Sequence, residues 1–109
     1  MILTIDGRDY ELKLTTKYLL QLEKKLGHNP INMFIKMAKN EELPSTDELL
    51  NVLHFSLKKF QYDMSFDDTI DLFDKYLDDG GSVPALVQVL LDVFIEAGII
   101  KAEENPNVK

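Results

Sequence analysis

The sequence predicts an α+β domain that is mainly α, with an N-terminal two-stranded β-hairpin followed by five helices. Two patterns predict it. Met1 to Leu14 alternates apolar and polar residues about Asp6-Gly7, the period of a strand. From residue 15 onward apolar residues recur every three to four positions in five runs, most of them opened by a capping residue and several closed by glycine. The 109 residues fit one domain, which buries roughly two-thirds of the surface its unfolded chain exposes. Such a chain holds a core without disulfides or metals.

In the hairpin, residues 1–14, Met1, Leu3 and Ile5 share one face of the first strand, and Tyr10, Leu12 and Leu14 share one face of the second. A tight turn at Asp6-Gly7-Arg8-Asp9 sets them opposite each other, with Gly7 supplying positive φ. A lone hairpin is marginal in water, so its apolar face is expected to pack on helices. The helical part spans 15–100. Thr15 or Thr16 caps a first helix carrying Tyr18, Leu19, Leu22 and Leu26, stopped by Gly27. Asn29-Pro30 opens a short second helix with Ile31, Phe34, Ile35 and Ala38. Glu41 to Pro44 reads as a loop.

Ser45 and Glu48 form a capping box for a third helix, expected to reach about Phe60 with Leu49, Leu50, Leu53, Leu57 and Phe60 on one side. Ser65 caps a fourth, whose predicted apolar seam is Phe66, Ile70, Phe73 and Leu77. Gly80-Gly81 ends it. Ser82 caps the last helix, with Pro84 in its first turn and Gly98 near its end. The segment 101–109 is polar, contains Asn105-Pro106 and reads as a flexible tail.

Composition excludes several function classes. The net charge of −7 opposes binding to nucleic acid or to anionic membrane surfaces. The basic groups Lys17, Lys24, Lys25 and Lys58-Lys59 are too small to reverse it. There is no cysteine, hence no disulfide, thiolate nucleophile or cysteine zinc site. His28 and His54 have no His or Cys partner at helical spacing. Ser45, Ser65 and Ser82 occupy cap positions, and neither they nor Ser56 sits in a nucleophile elbow. The N-terminus lacks the pattern of a signal peptide, and Gln88, Asp92 and Glu96 interrupt the longest apolar stretch. The reading is a protein-binding domain without catalysis, cofactor or metal.

Two segments carry the binding hypotheses. Asp67, Asp71, Asp74 and Asp78 form one stripe on the fourth helix, joined by Asp68 and Asp79. They read first as a solvated face and second as a patch for a basic partner. The last helix is apolar around most of its circumference, with only Gln88, Asp92 and Glu96 in a polar stripe. Either it is the centre of the core, or another chain, a second copy or a client, completes its surroundings. Under the second reading the binding residues are Leu86, Leu90, Val93 and Phe94, with Met33 and Met37 as an adaptable patch one turn apart on the second helix.

The opening Ile5-Asp6-Gly7-Arg8-Asp9-Tyr10-Glu11-Leu12, and then Leu19-x-x-Leu22-Glu23-x-x-Leu26-Gly27, resembles the start of tail assembly chaperones of long-tailed phages of Gram-positive bacteria. Pro44-Ser45 before Leu49-Leu50, the acidic Phe66-Asp67-Asp68-x-x-Asp71-Leu72 and the closing Gly98 continue the likeness over about residues 1 to 100. No single motif is specific; order and spacing carry it. The resemblance implies a protein that binds the tape-measure protein, with the tail-tube protein as a further candidate partner, in the host bacterial cytoplasm. It implies absence from the mature virion and a frameshifted, C-terminally extended minor form. It supplies no catalytic residues. The competing expectation is a structural phage component, such as a head–tail connector or tail-completion protein.

Overall fold

The computed structural model describes residues 1–39 and 43–101; the expected flexible tail from 102 onward, residues 41 and 42 of the expected loop and the side chains of Met37 and Ala38 lie outside the described residues. Strands β1 (Ile2–Ile5) and β2 (Arg8–Glu11) form an antiparallel hairpin, followed by α1 (Thr16–Leu26), α2 (Ile31–Ala38), α3 (Thr46–Leu57), α4 (Phe66–Asp78) and α5 (Val83–Glu96). Ile5 faces Arg8 across a two-residue turn in which Asp6 (φ 51°) and Gly7 (φ 78°) both take the left-handed region. That is the turn whose twist matches a hairpin. The turn is fixed to α4, because Asp6 N–H donates to the Asp79 carboxylate at 2.9 Å.

The caps fall where the sequence places them. Thr15, Ser45, Ser65 and Ser82 each accept a hydrogen bond from the first turn of their helix. Ser45 and Glu48 make the full reciprocal box, and Ser65 makes a second one with Asp68. Each box satisfies two backbone donors that the first turn leaves open.

Two expectations are corrected. Helix α3 ends at Leu57 rather than near Phe60, and Phe60 lies half exposed in the following turn. The fully buried face of α4 is Thr69, Leu72, Phe73 and Tyr76; of the expected seam Phe73 lies in it, Phe66 and Ile70 pack partly buried beside it, and Leu77 does not. Leu77 is 38% exposed. The helix turns this way because its polar side chains have partners inside: the Thr69 hydroxyl contacts His54 and donates to Ser65 O, and the Tyr76 hydroxyl donates to Ser82 O at 2.9 Å. A hydroxyl with a partner loses the penalty that otherwise keeps it at the surface.

Hairpin and helices share one apolar cluster. Leu3, Ile5, Tyr10, Leu12 and Leu14 meet Leu22 of α1, Phe34 of α2, Leu49, Leu53 and Leu57 of α3, and Leu72 and Phe73 of α4. Helix α5 contributes Leu86, Val87, Leu90, Leu91, Val93 and Phe94. Beyond α5, Gly98 turns the chain so that Ile99 N–H reaches Phe94 O and Ile100 is buried. Among the described residues no helix is long and apolar enough to cross a membrane.

Candidate functional site

Leu86, Leu90, Val93 and Phe94 are no surface for a partner in this structure. All four are at most 1% exposed. Phe94 packs edge-to-face on Phe34 of α2, with ring centroids 4.8 Å apart. The apolar circumference of α5 is satisfied from within, because α2 and α3 pack against it and its exposed positions reduce to Pro84, Ala85, Gln88 and Glu96, with Val83, Val89, Asp92 and Ile95 partly buried. Burial, and then the neighbouring charge of Glu96, push the Asp92 carboxyl above its ordinary range. The reading of these four residues as binding residues is therefore replaced by the core reading.

Met33 is different. It is half-buried on α2 and lines an open groove of about 510 Å³ with His28, Asn29, Asn32, Lys36, Leu43, Pro44 and Glu48. Local chemistry builds this groove from three separate segments. Asn29 accepts from Ile31 N–H at 2.8 Å and so starts α2 beside the end of α1. The box at Ser45 fixes Glu48 at the start of α3, and Glu48 reaches the ring Nε2 of His28 at 3.2 Å. The Ser45 amide, followed by its hydroxyl and His28, holds the Glu48 carboxylate below its ordinary range against the opposing effect of partial burial. The His28–Glu48 contact thereby ties the α1–α2 corner to α3. Over this polar frame lies an apolar strip: Met33, Pro44 and Leu43, the last 62% exposed. A groove of this make-up suits an apolar side chain framed by polar contacts, the pattern of an amphipathic helix docking.

The acidic stripe stands as the helical spacing placed it. Asp67, Asp71, Asp74 and Asp78 are exposed on α4. Asp68 and Asp79 leave the stripe for structural duties, Asp68 capping α4 and Asp79 holding the hairpin turn. Among the described residues no three His, Cys, Asp or Glu side chains gather as a metal set would require.

His54 behaves otherwise than its sequence neighbourhood suggested. It is buried between the edges of Phe55 and Phe66, and its Nδ1 lies 2.9 Å from the Thr69 hydroxyl. Ser65 O only accepts, so a hydroxyl proton directed there leaves Thr69 to accept from the ring. Burial, with the charge of Lys58, holds the imidazole below its ordinary pKa. The sequence signal for its burial was the apolar pair Leu53 and Phe55 on either side of it.

The chain belongs to a family of unknown function (DUF6096), whose model matches residues 2–109. Comparison with curated proteins and with solved structures finds no match.

Proposed function

We propose that the protein is a phage tail assembly chaperone, which binds the tape-measure protein and keeps it soluble while tail-tube subunits assemble around it. The observation that carries this reading is the ordered series of segments resembling that family, from Ile5–Leu12 through Leu19–Gly27 and Pro44–Leu50 to the acidic helix and Gly98. The fold lends support, since those segments are the hairpin, α1 with its glycine stop, the capped start of α3, and α4. Within this reading the client docks in the groove of Met33, Leu43 and Pro44, and the core residues of α5 support the groove from beneath through α2. The net charge of −7 keeps the loaded chaperone soluble.

The test is co-expression with the tape-measure protein encoded in the same gene cluster. A rise in soluble tape-measure protein with co-purification supports the proposal. Leu43→Asp, at an exposed position, then lowers recovery of the complex while leaving the fold intact. No complex and no gain in solubility, with the protein instead retained in purified virions, replaces the chaperone by a structural tail or connector component.

A further inference from the structure

The hairpin has two outward edges, and they are protected unequally. Leu12 N–H donates to Met1 O at 2.7 Å, and the Met1 nitrogen donates to Leu12 O at 3.3 Å. Antiparallel pairs alternate between bonded and non-bonded. In the observed register Leu3–Tyr10 and Ile5–Arg8 are then bonded, while Ile2–Glu11 and Thr4–Asp9 are not. The backbone N–H and C=O groups of Ile2 and Thr4 therefore point away from β2, and those of Asp9 and Glu11 point away from β1. The same alternation aims Lys13 N–H outward, where it donates to Ser56 O of α3 at 2.9 Å. Helix α3 thus closes the end of the β2 edge, and the rest of that edge carries Asp9 and Glu11.

Strand β1 is held at its two ends, by Met1 on Glu96 and by Asp6 N–H on Asp79, but has neither device along its length. Its sequence Ile2-Leu3-Thr4-Ile5 holds no charge and no proline. Ile2 is 50% exposed and Thr4 is exposed. Among the described residues nothing bonds the outward backbone groups of Ile2 or Thr4; the Thr4 hydroxyl goes to Asp9. Uncharged, unpaired edges of this kind are templates for another strand.

We propose that the β1 edge is a self-association surface, pairing antiparallel with β1 of a second copy about a two-fold axis at Leu3. In that register Ile2 stands opposite Thr4 of the partner subunit, and Thr4 opposite Ile2 of the partner subunit. Both are bonded pairs, so every outward group on the edge finds a complement. The exposed Ile2 side chain gains the Thr4 methyl of the partner subunit as a neighbour on the outer face. A second copy fits better than a charged peptide, because the edge offers no counter-charge and β1 supplies the spacing of donors and acceptors the edge requires. The surrounding acidic surfaces repel each other, and salt screens that repulsion. Association through this neutral edge therefore strengthens with ionic strength, opposite to an interface held by ion pairs.

The test is sedimentation of the full chain from micromolar to millimolar concentration at low and high salt, with amide exchange followed by NMR. The expected result is a monomer–dimer equilibrium that tightens with salt, with protection rising with concentration at the amides of Ile2 and Thr4 and not at Asp9 and Glu11. Thr4→Pro deletes an outward donor without touching the ladder to β2, and weakens association by at least about tenfold. If that variant does not fold, Ile2→Lys tests the same edge by placing charge on it, with the same expected direction. A chain that stays monomeric at millimolar concentration overturns the proposal. So does a dimer that a folded edge variant leaves unchanged, or protection that appears at Asp9 and Glu11.

Discussion

Replacing Gly81 by alanine is expected to destabilise the protein through one aromatic ring. A Cβ at this position would lie within 2.4–2.6 Å of three atoms of the Tyr76 ring. Real Cβ contacts do not come that close, so the ring or the chain must move. The ring has little room: Tyr76 is buried in the cluster, and its hydroxyl is tied to Ser82 O at 2.9 Å. It lies across the Cα of Gly81, whose N–H bonds back to Tyr76 O at 2.9 Å as α4 ends. Overpacking of this sort costs about 1–3 kcal/mol, and losing the Tyr76 hydrogen bond about 1 kcal/mol more. At roughly 4–8 °C per kcal/mol for a domain near this size, the melting temperature of Gly81→Ala should fall by about 8–30 °C. Backbone strain contributes nothing, since Gly81 is not among the residues with positive φ. A double-mutant cycle with Tyr76→Leu isolates the ring. In that background Gly81→Ala becomes neutral, or stabilises by up to about 1 kcal/mol through the unfolded chain. Equal losses in both backgrounds, or an unchanged melting temperature in the single variant, would refute the reasoning.

Three further outcomes are expected. Leu90→Ala, at a position with no exposure, should cost about 2–5 kcal/mol in urea titration, and a change within error would return α5 to the surface. His54 is held below its ordinary pKa in the folded state, so the unfolded chain takes the proton first as pH falls through about 6.5. Stability should be level above that pH and decline below it toward the folded-state value. His54→Gln should flatten the decline, and an equal slope in both proteins counts against a buried neutral imidazole. Converting Asp67, Asp71 and Asp74 to asparagine should leave circular dichroism unchanged and the melting temperature equal or slightly higher. These carboxylates are exposed and Asp67 repels Asp71 one turn on; unfolding would reveal structural partners for them.

What the sequence disclosed tracks the range of the interactions involved. Turn and caps are local: Asp6-Gly7, Ser45 with Glu48, and Ser65 before α4 each act within a few residues, and each stands where expected. The facing of α4 depends on distant partners. Tyr76 and Thr69 turn inward because Ser82 O accepts from the Tyr76 hydroxyl and the His54 ring donates to that of Thr69, and an apolar count along the helix favoured Ile70 and Leu77 instead. The apolar girth of α5 was visible, but what surrounds it was not, because Phe34 lies sixty positions from Phe94 in sequence (94 − 34 = 60) and under 5 Å in space. The Met33 groove was half visible. The methionine had a helical position, while Leu43, Pro44 and the His28–Glu48 pair joined it only through the corner between α1 and α3.

The central position of α5 has a consequence for synthesis. The ribosome makes this helix after the hairpin and the other four helices, at roughly 5–20 residues per second, so several seconds separate the hairpin from the segment that completes its core. Through that interval Leu3, Ile5, Leu12 and Leu53 lack the neighbours that α5 brings to their cluster. The nascent chain therefore closes its interior in one late event, when Leu86 to Phe94 clear the exit tunnel. Any change that slows docking of α5 lengthens the time in which the newborn protein is itself in need of shelter from aggregation.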